Sequence, residues 1–126
     1  MKIFSVEEAN ALLPTVRGIL RRIRRAHRRL LSYQTAAKEA AAAAAEQGGG
    51  GMADGVRYAV ILMELTTFMS EIESLGVQLK DFTRGLVDFP SLRDGRVVLL
   101  CWQLDEGDSV EWWHDVDAGF AGRTPL

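Results

Sequence analysis

Four residues in the C-terminal third of the chain have side chains suited to chemistry: Asp88, Trp102, Trp112 and His114. A carboxylate near an imidazole can move a proton or hold a metal-bound water, and indole rings can grip a small ligand. The alternative is structural, with the tryptophans closing a hydrophobic core and Asp88 capping a turn. The sequence thus offers a candidate ligand site with no defined metal; His114 and Asp88 are the residues that would coordinate one.

The elements that carry these residues are predicted to be short strands. Apolar runs divided by turn signals indicate a three-stranded antiparallel meander over residues 85–90, 97–104 and 110–114. The turns pair Val98 with Asp88 and Leu100 with His114. Opposed side chains share a face, so Asp88 and His114 would lie on one face with both tryptophans beside them. They would stand roughly 10 Å apart, too far for a hydrogen bond but suited to a ligand between them.

Cys101 and Arg123 are weaker candidates. In this register Cys101 points away from His114, which favours a buried structural cysteine over a nucleophile. Arg123 is suited to binding an anion and equally to anchoring the tail at an acidic helix end. No pair of cysteines or histidines has zinc spacing. The segments at 114–119 and 48–55 lack key residues of a calcium loop and of a phosphate loop. The sequence therefore names no cofactor.

A long helical hairpin is predicted to organise the chain. Between Leu13 and Ala37, apolar or neutral residues recur at spacings of three and four, which puts one stripe along a helix. Its members are Leu13, Val16, Leu20, Ile23, His27, Leu30, Gln34 and Ala37. His27 would lie across from residues 71–74 of the returning helix, and we favour a core residue with one hydrogen bond over a metal ligand.

The boundaries of this hairpin follow from capping signals. Ser5 and Glu8 form a capping box, so the N-terminal helices are expected at 5–47, broken near Leu12 with Pro14 in the first turn of the second. Residues 48–54 form a Gly-rich tip, and Asp54 caps the return helix at 55–80. Residues 85–126 hold the meander and an irregular tail. The fold class is α+β, mostly α, in a single domain over 1–126.

Two surfaces of the hairpin are candidates for contact with a partner. Val60 and Met63 point away from the main apolar stripe of the return helix, so a second side of that helix must be buried by the C-terminal segment or another subunit. Seven arginines at 17–29 form either a solvated face paired with Glu64, Glu71 or Glu73, or a site for an acidic partner. The candidate partner surface is Arg17, Arg21, Arg24, Arg28, Val60 and Met63.

Composition narrows the classes of function. The net charge of −2 combines a balance of +5 over residues 1–47 with −7 over 48–126, so opposite parts of two copies could attract each other. A pI near 5.7 argues against nucleic acid as a partner. We read no export signal and no apolar run of about 20 residues. A lone cysteine fits a reducing cytoplasm.

Five motifs carry a family resemblance: FSVEEANALLP at 4–14, GLVDFP at 85–90, LCW at 100–102, WH at 113–114 and GFAGR at 119–123. In this order they resemble a bacterial family known as domain of unknown function 2203. The resemblance spans nearly the whole chain and implies a small bacterial protein with a helical hairpin and a C-terminal β segment. It implies no activity, cofactor or catalytic residue.

Two hypotheses of function follow from the sequence. The first is a small cytoplasmic interaction module that self-associates as a dimer through its helical hairpin, with features of a coiled coil. The alternative is a small metal- or ligand-binding enzyme that uses the Asp88, His114 and tryptophan cluster. The first is favoured because the second depends on an assumed strand register.

Overall fold

A computed structural model describes the backbone of residues 1–47 and 52–126, and the side chains of these residues outside 44–47 and 52–54. It shows two helices followed by a sheet, an α+β fold that is mostly helical. In chain order the elements are α1 (Val6–Gln47), α2 (Met52–Ser74), β1 (Gln78–Asp81), β2 (Leu86–Arg93), β3 (Arg96–Gln103), β4 (Trp112–Asp115), a 3-10 turn (Phe120–Gly122) and β5 (Thr124–Pro125). No helix in the described ranges is both long and apolar enough to cross a membrane.

Helix α1 begins at the predicted capping box but does not break at the proline. The Ser5 N–H donates to Glu8 Oε1 and the Glu8 N–H donates to Ser5 Oγ, each at 3.0 Å. The prediction of two helices divided near Leu12 is wrong, because α1 continues through Pro14. Proline removes one hydrogen bond, and burial of Leu13 and Val16 on either side of it holds the helix together.

The apolar stripe of α1 packs as predicted over its first half. Leu13, Val16, Leu20, Ile23 and Leu30 are buried, whereas Ala37 at the far end is exposed. His27 is half-buried and contacts the edge of the Phe82 ring, with centroids 5.0 Å apart, so it packs on the loop after β1.

Three side-chain contacts show that α1 and α2 run antiparallel. The Gln34 side-chain amide donates a hydrogen bond to the Tyr58 hydroxyl, and Arg29 and Arg22 form ion pairs with Glu64 and Glu71. Residue numbers therefore fall along one helix as they rise along the other. The predicted pairing of arginines with Glu64 and Glu71 is confirmed.

The ends of α2 differ from the prediction. Residues 48–51 of the predicted tip at 48–54 lie outside the described residues, and so does the side chain of Asp54. Helix α2 already includes residues 52–54, so the expected start at 55 is wrong by one turn. It also ends at Ser74 instead of near 80, because Gly76 has φ +86° and turns the chain into β1.

The sheet is a five-stranded antiparallel meander in the order β1-β2-β3-β4-β5, not the predicted three strands. The helical spacing of Leu75 and Leu79 predicts that α2 continues to about residue 80, but residues 78–81 form strand β1 instead. Strand β5 has two residues and lies in the tail, for which the sequence predicts irregular structure. Gly85, before β2, has φ +65°, and a Cβ there would lie 2.7 Å from the Leu104 Cβ.

One face of the sheet closes the main core. The residues of this inner face include Val87, Phe89, Leu100 and Trp102, which are buried with the stripe of α1 and with Ile61, Leu65 and Ile72 of α2. The N-terminal segment is bound to β2, since the Phe4 N–H donates to the Pro90 carbonyl and Ser91 Oγ donates to the Phe4 carbonyl. Alternation leaves Asp88, Cys101, Trp112 and His114 on the opposite, outer face.

Candidate functional site

Three adjacent strands bring Asp88, Cys101 and His114 together on the outer face. Asp88 lies across from Cys101 in the pairing of β2 with β3, and His114 lies across from Leu99 in the pairing of β3 with β4. Alternation puts Leu99 and Cys101 on one face, so the three functional side chains share it. All three are buried, although they lie on the face turned away from the helices.

The predicted register is wrong in both strand pairs. Asp88 lies opposite Cys101, not Val98, and His114 lies opposite Leu99, not Leu100. The register errors are three residues for Asp88 and one residue for His114. An odd shift moves a side chain to the other face of the sheet, so both side chains change face together and still share one, as predicted. The predicted 10 Å gap between them is wrong, as is the expectation that Cys101 points away from His114.

Asp88 and His114 form a buried pair over β3. Both Asp88 carboxylate oxygens lie 3.1 Å from His114 Nε2, and each side chain is only 3% exposed. On its other side, His114 Nδ1 lies 2.7 Å from the backbone oxygen of Asp115. A carbonyl oxygen only accepts, so Nδ1 carries a hydrogen. Nε2 therefore faces the carboxylate across a distance that a shared proton or another cation must bridge.

Cys101 lies between these two residues on the middle strand. Burial raises the pKa of its thiol to about 12, the negative charge of Asp88 adds to the effect, and Arg123 opposes it. A thiol with this pKa stays protonated near neutral pH and is a poor nucleophile. The burial of Cys101 agrees with the prediction of a buried cysteine.

Arg123 closes the cluster from the tail. Its Nη1 donates to Glu106 Oε1 at 2.8 Å and lies 3.9 Å from the Cys101 sulfur. Burial disfavours its charge, but the hydrogen bonds to Glu106 and Cys101 outweigh that effect and raise the pKa of Arg123. The guanidinium also lies over the rings of Trp112 and Phe120, at 4.8 Å and 4.2 Å from their centroids. The predicted role as a tail anchor thus has a partner, a loop carboxylate instead of a helix end.

The two tryptophan candidates are separated by the sheet. Trp112 lies on the outer face beside Arg123. Trp102 lies on the inner face, where its Nε1–H donates to the Gly107 carbonyl at 3.0 Å and Arg17 lies over its ring. The prediction that both tryptophans flank Asp88 and His114 is therefore wrong for Trp102, which packs in the main core.

The outer-face cluster is defined here as Asp88, Cys101, Glu106, His114 and Arg123. Sequence reasoning set Cys101 aside as structural and did not consider Glu106. Each of the other four residues lies in one of the C-terminal family motifs: GLVDFP, LCW, WH and GFAGR. Membership in such a motif was a usable signal for Cys101. Glu106 falls in a turn signal and carries no mark of its own.

A second candidate region is the solvent side of α2. Val56, Val60 and Met63 are 65%, 46% and 69% exposed, and with Thr67 they follow one another at spacings of four and three. These four residues are named the α2 stripe. Val56 and Thr67 were missed from sequence, although the heptad spacing could have found them. The stripe borders two grooves. The larger, of about 600 Å³, is also lined by Tyr33 and Ala36 of α1, and the smaller, of about 270 Å³, reaches Phe68.

The arginines of the predicted partner surface divide into two groups. Arg17 and Arg24 pair with Asp108 and Asp105 of the loop after β3, at 3.0 Å and 3.6 Å. They therefore face the loop and the sheet, not the α2 stripe. Arg21 is exposed, and Arg28 is exposed and lines the larger groove.

Comparison with known proteins gives a match to a protein family. The model of a family described as an uncharacterized conserved protein, DUF2203, matches residues 2–126. Neither the curated proteins nor the solved structures contain a match to the chain. The matched range includes the whole outer-face cluster and the α2 stripe.

Proposed function

This chain belongs to the DUF2203 family, as its motifs predicted, and we propose that it is an interaction module that forms a homodimer through the α2 stripe. The observation that carries the proposal is the exposure of three large apolar side chains at heptad spacing on one helix. A helix in water gains free energy by burying such a stripe, at about 25 cal/mol for each Å² of apolar surface. The compartment that we propose is a reducing cytoplasm, in which the single buried cysteine stays a thiol.

Antiparallel pairing of two α2 helices matches the stripe. Spacings of four, three and four put Val56 and Met63 at d positions, and Val60 and Thr67 at a positions, of a two-stranded coiled coil. In an antiparallel pair each a position faces a d position, so Val60 faces Met63 of the second copy twice. The grooves beside Val60 offer the holes into which such side chains pack.

Charge favours a second copy as the occupant. Arg57 and Glu64 are seven residues apart and both occupy e positions beside the stripe. In the antiparallel dimer e positions face each other, so Arg57 of each copy meets Glu64 of the other. Glu64 already accepts a hydrogen bond from Arg29 at 3.0 Å, and a carboxylate has lone pairs for a second partner. Two opposite-charge pairs thus flank the apolar seam.

Analytical ultracentrifugation of the full chain over a micromolar concentration range tests this proposal. Wild-type protein is expected to dimerise, and Met63→Glu is expected to be a monomer because it places four carboxylates along the seam, counting Glu64 of each copy. Leu92→Glu is the matched control, since Leu92 is 62% exposed in β2 and lies outside α2. A monomeric wild type, or equal loss of the dimer in Leu92→Glu, overturns the proposal.

A charge exchange tests the antiparallel register. Arg57→Glu is expected to weaken the dimer, and the double variant Arg57→Glu/Glu64→Arg is expected to restore it. In a parallel pair, e positions face g positions instead, and the second substitution brings no recovery. Circular dichroism of each variant at low concentration checks that the monomer stays folded.

A further inference from the structure

Side chains of three metal-ligating types converge on the outer face, and the dimer proposal does not use them. One ligand atom from each of Asp88, Cys101 and His114 lies within 4.8 Å of the others. Among the residues that the structure describes, these three form the group of His, Cys, Asp or Glu side chains placed closely enough to hold one metal ion. Each ligand comes from a different, directly neighbouring strand, so the sheet backbone holds the three in place.

We propose that Asp88, Cys101 and His114 bind one divalent transition-metal ion, with Zn²⁺ as the best fit. Thiolate and imidazole ligands select zinc-class ions over Mg²⁺ or Ca²⁺, which prefer oxygen. Metal–ligand bonds of about 2.0–2.3 Å in a tetrahedron put ligand atoms about 3.3–3.8 Å apart. The observed 3.1 Å between Nε2 and the Asp88 oxygens and the 4.8 Å limit for the group bracket those separations.

The second hydrogen bond of His114 orients the ring for a metal. Zinc-ligating histidines usually donate their other N–H to a carbonyl or a carboxylate, which leaves one nitrogen lone pair for the ion. His114 Nδ1 has this partner in the Asp115 backbone oxygen at 2.7 Å. With Nδ1 protonated, Nε2 and the Asp88 carboxylate face each other as two lone-pair donors, and a cation between them satisfies both.

The charges of the site balance when the ion is divalent. Metal binding displaces the Cys101 proton into solvent, so one carboxylate and one thiolate then carry −2, the imidazole is neutral, and an ion of +2 cancels the total. Neutrality matters because the three side chains are buried, where an uncompensated charge is costly. Arg123 and Glu106 beside the site neutralise each other at 2.8 Å. Three protein ligands leave the fourth tetrahedral position for water or a small anion.

Titration of chelator-treated, untagged protein with Co²⁺ tests the proposal. Wild-type protein is expected to bind one ion per chain and to develop the near-ultraviolet charge-transfer absorption of a thiolate–cobalt bond, which Zn²⁺ then displaces. Cys101→Ser is expected to lose that absorption. Loss of a supporting partner already lowers metal affinity about 10–100-fold, so His114→Gln is expected to lower it about 100-fold or more. His27→Gln changes the other histidine of the chain, which packs on Phe82 and lies outside the site, so it is the matched control and should bind as wild type does.

Two outcomes overturn the proposal. If wild-type protein shows no charge-transfer band at millimolar Co²⁺, the three residues form only an imidazolium–carboxylate pair with a neighbouring thiol. If folded His114→Gln binds Co²⁺ as tightly as wild type does, the ion does not use the proposed ligands. Should the variants fail to fold by circular dichroism, the wild-type titration decides alone. The sedimentation experiment above is independent, so failure of one proposal leaves the other standing.

Discussion

The strongest quantitative prediction concerns the coupling between Asp88 and His114. Both side chains are 3% exposed, and both Asp88 oxygens lie 3.1 Å from the same ring nitrogen. Removal of one member of a buried pair leaves the other without its partner and costs about 3–5 kcal/mol. Asp88→Leu and His114→Leu should each lower the free energy of unfolding by about that amount. For 126 residues the total is about 6–19 kcal/mol, so each variant loses a large share of it.

The double variant Asp88→Leu/His114→Leu should be far less unstable than the sum of the single variants. Leucine pairs of similar volume bury apolar surface where the polar pair was, and such replacements are often close to neutral. Since the single losses add to about 6–10 kcal/mol, a nearly neutral double variant gives a coupling energy of about that size, larger than the usual range of about 0.5–3 kcal/mol for residues in contact. Each single variant includes the free-energy cost of a buried partner left unpaired, and the double variant has no unpaired partner.

Urea unfolding followed by circular dichroism measures all four proteins. The protein concentration is held constant because a dimer is more stable at higher concentration, and chelator is present so that bound metal does not contribute. Asp88→Leu combined with Thr35→Ala, an exposed position on α1, is the control pair and should be additive. Additivity of Asp88→Leu and His114→Leu within about 0.5 kcal/mol would refute the view that the two residues act as a unit.

Three further predictions concern the backbone and one carboxylate. Gly85→Ala should cost about 2–5 kcal/mol in urea unfolding, because it combines φ +65° with no room for a Cβ, whereas Gly95→Ala, at φ +77° in open space, should cost only about 1–2 kcal/mol. Pro14→Ala should raise the free energy of unfolding by about 1–3 kcal/mol by restoring a helical hydrogen bond at an exposed position, and no gain would show that the helix already compensates. The hydrogen bonds from the Thr83 hydroxyl and from backbone N–H groups lower the pKa of Asp81 below 3.8, so the Asp81 carboxylate stabilises the fold above about pH 4 and this contribution is lost as the pH falls through its folded pKa. Asp81→Asn should therefore flatten the decline of the free energy of unfolding in that pH range. An unchanged decline in the variant would contradict this prediction.

Local signals predicted those parts of the fold that depend on neighbours in sequence. Ser5 and Glu8 cap α1 because both partners lie within one turn, and the stripe from Leu13 to Leu30 is buried because helical spacing alone puts it on one side. The helix across Pro14 was missed because the local cost of proline is outweighed by burial of a core that the local sequence does not show. Strand β1 was missed because its residues also fit a helical stripe, and the turn at Gly76 decided against it.

The candidate site depended on tertiary structure in a different way. Asp88 and His114 were candidates by residue type, but the distance between them depends on register, and a slip of one residue moves a side chain to the other face. Turn signals locate a turn within a residue or two, which is too coarse for that purpose. The position of Val60 and Met63 off the main stripe was easier to predict, because the helix period puts them on another side of α2 whatever the rest of the chain does.

The sequence by itself determined the helix faces, the capped start of α1, the presence of strands in the C-terminal third and the candidacy of Asp88 and His114. These follow from spacing and residue type, which act over one or two turns of chain. Tertiary structure alone decided that Cys101 joins Asp88 and His114, that Trp102 turns into the core and that Arg123 closes the site against Glu106. Those contacts join residues that are distant in sequence, and only the packing of strands, loop and tail settles which atoms meet.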